Sequence, residues 1–129
     1  MTLAPAVAQG IEQIRSSLPA CTVECTPDSA GGGSVVVGGL TFGPPYRQAD
    51  GWIGFLLTFQ YPYTDVYPHF TRPDLARLDG RPLGEGLGMA QFRGAPAIQI
   101  SRRSNKWSPA TDTAVLKLLK VYRWLLAHH

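Results

Sequence analysis

"AIQISRRSNKWSPATDTAVLKLLKVYRWLL", residues 97–126, passes from a short strand through a basic loop into an amphipathic helix. Ser108 suits a helix N-cap, Pro109 the first helical position, and Asp112 the first turn. Beyond them Val115, Leu118, Leu119, Tyr122 and Leu125 or Leu126 make a broad apolar face, with Thr113, Lys117, Lys120 and Arg123 on the polar side. A helix patterned in this way covers a sheet.

The rest of the chain supplies that sheet. Val7, Ile11, Ile14 and Leu18 recur at helical spacing until Pro19 stops them, and Gly10 weakens the helix without forbidding it. "ACTVECT" alternates, so Cys21, Val23 and Cys25 share one face of a strand. "PDSAGGGS" is a turn, and "VVVGGL" at residues 35–40 returns as the second arm of a hairpin. "WIGFLLTFQY", from Trp52, is the most apolar strand and belongs in the middle of the sheet. "YPYTDVYPHFTRPDL" is extended, because its prolines leave little room for a helix. "DGRPLGEGLG", residues 79–88, reads as loop, flexible enough for a lid, and "PAIQI" as a last short strand. The order is helix, a meander of three to four antiparallel strands, an extended segment and a covering helix. That is an α+β sandwich, expected as a single domain over residues 1–129.

Composition narrows the function classes. At 129 residues the chain is long enough to bury a core, and 11 prolines and 14 glycines argue for many turns. No apolar run approaches the roughly 20 residues of a membrane helix, and "MTLAPAVAQG" lacks the pattern of a signal peptide, so the cytoplasm is expected. The net charge of +3 is mild. Its cations group at Arg102, Arg103 and Lys106 and in the stripe Lys117, Lys120 and Arg123, sparser than a nucleic-acid footprint. Cys21 and Cys25 stand about 13 Å apart along a strand, too far for a disulfide or one shared metal ion, which leaves them as buried structural thiols. No phosphate loop, nucleophile elbow or metal-spaced histidine pair is present, so no cofactor or metal is expected. His69, the one internal histidine, reads as an aromatic-cluster residue hydrogen-bonded near Tyr67 and Phe70.

"WSPATDTAVLKLLKVYRWLL" resembles the Trp-Ser-Pro-Ala turn and following helix of ubiquitin-conjugating enzymes. "FQYPYTDVYPHF" resembles the Tyr-Pro-Phe and later Pro segment after the third strand of that fold. The element order agrees from the N-terminal helix onward, and specific residues carry the likeness over residues 59–126. The resemblance implies a UBC-like α+β sandwich of prokaryotic type. It also places the family's thioester-forming cysteine about eight residues before Trp107, where this chain has Gln99. A carboxamide is no nucleophile, because its nitrogen lone pair is delocalised. The family's His-Pro-Asn tripeptide is reduced to Arg72, Pro73 and Asp74, and an Asp opposes a developing oxyanion.

The function so implied is that of a catalytically inactive binding or scaffold partner in a bacterial ubiquitin-like conjugation pathway. The partners implied are a ubiquitin-like protein and an activating-enzyme-like or peptidase-like protein. The candidate contact residues are His69, Arg72, Asp74, Gln99, Arg102, Arg103, Lys106 and Trp107. Two alternatives remain. One is a transferase that forms an oxyester on Ser101 or Ser104, with His69 as base. The other is a nucleic-acid module built on the basic loop and the Lys117 stripe.

Overall fold

Val7, Ile11 and Ile14 line the buried side of α1 (Pro5–Ser17), as their spacing requires. The computed structural model describes residues 2–128. Leu18 falls one residue past the helix, where its N–H closes the last turn on the Ile14 carbonyl. Gly10 is buried in the same stripe, and a Cβ there would stand 2.9 Å from Cε2 of Tyr61. The glycine is therefore the seat of the Tyr61 ring. Gly10→Ala is expected to destabilise the fold by about 1–3 kcal/mol through overpacking, although alanine is the better helix former by about 1 kcal/mol. Urea unfolding checks this, and a variant more stable than the native chain would refute it.

The sheet holds six antiparallel strands: β1 (Thr22–Pro27), β2 (Gly33–Thr41), β3 (Asp50–Leu57), β4 (His69–Thr71), β5 (Leu87–Phe92) and β6 (Ala95–Ile100). They lie in the order β1-β2-β3-β4-β6-β5. The hairpin of β1 and β2 and the internal place of β3 match the periodicity. The count of three to four strands does not, and two local features explain the difference. β4 has only three residues and lies between Pro68 and Pro73, so a sequence window sees prolines rather than a strand. The β5–β6 hairpin starts at Leu87, inside the segment read as loop. It turns on Arg93 and Gly94, both with positive φ (55° and 78°), directly between the paired Phe92 and Ala95. Two left-handed residues in succession are the geometry of a tight hairpin turn.

α2 (Ala114–Ala127) begins later than the sequence suggests. Ser108 is not its N-cap, and Pro109 and Asp112 lie before it. Residues 108–112 instead close a turn of their own. The Ser108 carbonyl accepts from the N–H groups of Thr111 and Asp112, and the Ser108 N–H donates to Asp112 Oδ2 at 2.7 Å. The cap is Thr113, whose Oγ1 accepts from the Leu116 N–H, while the Tyr61 hydroxyl accepts from the Ala114 N–H at 2.9 Å. Two of the four orphan amides of the helix start are thereby satisfied.

Both helices pack on one face of the sheet. Val7, Ile11 and Ile14 of α1 and Leu118, Val121 and Leu125 of α2 share a core with Val35, Val37, Ile53, Phe55, Ile98 and Ile100. The opposite face carries a smaller cluster of Phe70, Phe92 and Ala97, flanked by Val36 and Trp52. Phe92 reaches it by lying across Gly54, where a Cβ would stand 2.4 Å from the ring. The architecture is α+β: an N-terminal helix, a six-stranded antiparallel sheet and a C-terminal helix. Cys21 and Cys25 are half-buried, not buried, because they stand at or beside edge strand β1. Among the described residues no helix is long and apolar enough to cross a membrane.

Candidate functional site

Gln99 sits inside β6, paired with Phe70 of β4 and Gly88 of β5. Its neighbours Ile98 and Ile100 are buried in the helix-side core, so strand alternation turns Gln99, with Ala97, to the helix-free face. Its Nε2 donates to Ser101 Oγ at 3.2 Å. Cys25 lies four strands away, about 19 Å at the usual inter-strand spacing, and burial pushes its thiol pKa up, away from a reactive thiolate.

Arg72 and Asp74 form a bidentate ion pair, with Nε to Oδ1 at 2.6 Å and Nη2 to Oδ2 at 2.8 Å. The guanidinium holds the Asp74 carboxyl below the usual carboxylate range, and Arg72 also donates to the Asp50 carbonyl at 2.8 Å. This pair follows Thr71, which is opposite Ile98, whereas Arg102 and Arg103 follow Ile100, which is opposite His69. The two groups of candidate residues therefore stand at opposite ends of the β4–β6 ladder.

His69 is fully buried and hydrogen-bonds to neither Tyr67 nor Phe70. Neither ring nitrogen has a hydrogen-bond partner among the described residues. Its ring lies 5.2 Å from that of Phe55, its partner across the β3–β4 ladder. Burial first, and then the charge of Lys117, lower its pKa to about 3, so it is neutral at physiological pH.

Lys117 is the largest departure from the periodic reading. It is 5% exposed, on the buried stripe between Ala114 and Val121 rather than on the polar side. Its Nζ donates to Asp65 Oδ1 and Oδ2 at 3.0 and 3.1 Å and to Ser104 Oγ at 2.7 Å. Ser104 in turn donates its N–H to Asp65 Oδ2 at 2.7 Å and its hydroxyl to Oδ1 at 2.9 Å. These bonds hold the Asp65 carboxyl below its usual range against the upward push of burial. The Ser104 proton is directed at Asp65 and its lone pair at a lysine held as half of an ion pair. In this arrangement the hydroxyl has no free base. The three side chains clamp the basic loop to α2 and to the proline-rich segment.

Trp107 is half-buried against the core, with Nε1 donating to the Pro62 carbonyl at 2.7 Å. Arg102 and Arg103, by contrast, are exposed and each lies on an aromatic face, Arg102 4.8 Å from the Trp124 ring centroid and Arg103 4.1 Å from that of Tyr67. With Lys106 and Lys120 they line a cleft of about 310 Å³ floored by Val121 and Trp124. The loop ahead of β5 packs on the end of α2 instead of over Gln99. Gly86 leaves room for Trp124, and the Leu83 carbonyl lies 3.0 Å from His128 Nε2. Of the eight candidate residues, then, Arg102, Arg103 and Lys106 come together. His69 and Trp107 face the interior, Gln99 faces the open side of the sheet, and Arg72 and Asp74 pair at the far end. The sequence reading missed Asp65 and Trp124 as their neighbours, and joined Lys120 to them only in the nucleic-acid alternative. The signal for the clamp was Lys117 itself, a lone cation three residues after Ala114 and four before Val121.

No family model, curated protein or solved structure matches the chain.

Proposed function

We propose that the chain is a cytoplasmic ubiquitin-conjugating-enzyme-like domain that binds proteins of a bacterial ubiquitin-like conjugation pathway without carrying the modifier. The observation that carries this reading is Gln99, eight residues before Trp107, where the resemblance leads one to expect the family's thiol, with Cys25 four strands away. A thioester needs sulfur at the site, and a carboxamide can only make hydrogen bonds there. The junction of the two segments that bear the resemblance supports the fold side of the proposal. Tyr61 caps α2, and Pro62 accepts the indole N–H of Trp107, so "YPY" and "WSP" are bonded to each other. The two segments on which the resemblance rests are thus neighbours in the fold.

The test is a titration of the chain against a ubiquitin-like protein and an activating-enzyme-like or peptidase-like protein encoded beside it. A parallel incubation includes activating enzyme, modifier and ATP. Saturable binding with no covalent mass shift is the expected result. Absence of binding to every such component would overturn the proposal. A mass shift lost in Ser101→Ala or Ser104→Ala would replace it with a serine-dependent transferase.

A further inference from the structure

The cleft between the basic loop and α2 concentrates positive charge that the carboxylate in its lining offsets only in part. Arg102, Arg103, Lys106 and Lys120 line it and form no salt bridge among the described residues. Asp65 is paired with Lys117 and Ser104; Asp112, which also lines the cleft, accepts the neutral Ser108 N–H and keeps its charge, so four free cations face one carboxylate. These four cations outnumber the chain's net charge of +3, so the remainder of the sequence is net acidic.

The two arginines are also preorganised. A guanidinium lying on an aromatic face has lost much of its side-chain freedom, yet its in-plane N–H fork stays open to a planar or tetrahedral anion. Stacking on Trp124 and on Tyr67 fixes Arg102 and Arg103 in this way. A single carboxylate would neutralise only one of four cations, whereas a phosphate or diphosphate offers several oxygens and more than one charge. The volume, about 310 Å³, is at the lower end of small-molecule sites. A nucleic-acid track requires cations strung along a surface, and here they converge on one cleft of a chain that is otherwise net acidic.

We propose that this cleft binds a phosphate-bearing small molecule, with its phosphate groups held by Arg102, Arg103, Lys106 and Lys120. The proposal does not depend on the conjugating-enzyme reading.

Calorimetric titration with pyrophosphate tests it. Saturable one-to-one binding with a Kd below about 1 mM at physiological salt is expected. Arg102→Ala and Lys120→Ala should each weaken it by at least about tenfold, and Arg81→Ala, which is not part of the cleft lining, should leave it unchanged. All three side chains are exposed. Lys120 makes no aromatic contact of the kind Arg102 makes, and an unchanged urea midpoint certifies that its variant is folded. No saturation, or equal weakening by Arg81→Ala, would overturn the proposal. Much tighter binding of a single-stranded oligonucleotide, falling steeply with salt, or of a poly-glutamate peptide, would assign the cleft to a macromolecule and overturn it as well.

Discussion

His69→Leu is expected to abolish most of the loss of stability that the native chain suffers between pH 6.5 and pH 4.5. An unfolded histidine takes up a proton near pH 6.5, whereas the buried ring of His69 does so only near pH 3. Between those values the unfolded state binds more protons, so stability falls as pH falls, by about 1.4 kcal/mol per unit. At pH 4.5 the accumulated loss is about 3 kcal/mol, and above pH 6.5 the term vanishes. The charged groups that act on the ring are Lys117, which lowers its pKa, and Asp65, which partly opposes that. Asp65 has a lowered pKa of its own, below the ordinary 3.8, so its contribution is lost only at more acid pH, outside this window. At neutral pH the variant should stay within about 1–1.5 kcal/mol of the native chain, because leucine removes an imidazole with no hydrogen-bond partner while fitting the space imperfectly. Urea midpoints at pH 7.5, 5.5 and 4.5 measure the slope. A slope that persists unchanged in His69→Leu would show that the titrating group is not His69.

The parts of this fold that were legible in the sequence are those where one residue type repeats with one period. Val7, Ile11 and Ile14 declared α1, the run from Trp52 declared an internal strand, and Val115, Leu118 and Leu125 declared the buried face of α2. What stayed hidden depends on partners distant in sequence or on local turn geometry that no period marks. β4 is a strand because β3 and β6 flank it, and three residues between prolines carry no period of their own. β5 pairs only with β6, through a turn whose Arg93 adopts a left-handed conformation more often taken by asparagine or glycine. The start of α2 was misplaced because Ser108, Pro109 and Asp112 are the residues of a helix entry, yet Asp112 folds back on Ser108 and Thr113 takes the cap. The candidate site divided for a similar reason. Register, which no spacing reveals, sends Arg72 and Arg102 to opposite ends of one ladder. The aromatic seats of Arg102 and Arg103, on Trp124 and Tyr67, are contacts of the same hidden kind.

Asp65→Asn and Lys117→Met should have unequal costs, and the inequality follows from burial. Removing the carboxylate leaves an ammonium 5% exposed with only neutral acceptors, Ser104 Oγ and the new carboxamide oxygen, and stranding a buried charge costs about 3–5 kcal/mol. Removing the ammonium leaves Asp65, 20% exposed, with the N–H and hydroxyl of Ser104 still donating to it, a loss of about 1–3 kcal/mol. Methionine keeps the length of lysine and suits a helix interior, so propensity adds little to the second figure. Asp65→Asn combined with Lys117→Met strands no charge, and its cost should fall well below the sum of the two, near that of Lys117→Met alone. The carboxylate's contribution has its own pH signature. Its folded pKa is lowered, so the stabilisation is present above the ordinary carboxylate range and lost as pH falls through the lowered value. Asp65→Asn should therefore flatten the stability curve only below about pH 4, the region that His69→Leu leaves steep. An exposed pair would behave differently, with each single substitution costing at most about 1 kcal/mol and the two adding independently. Equal, additive losses in urea unfolding would thus mean that Lys117 reaches solvent and that Ser104 is not held by the pair. The loop bearing Arg102, Arg103 and Lys106 would then lose its anchor to α2.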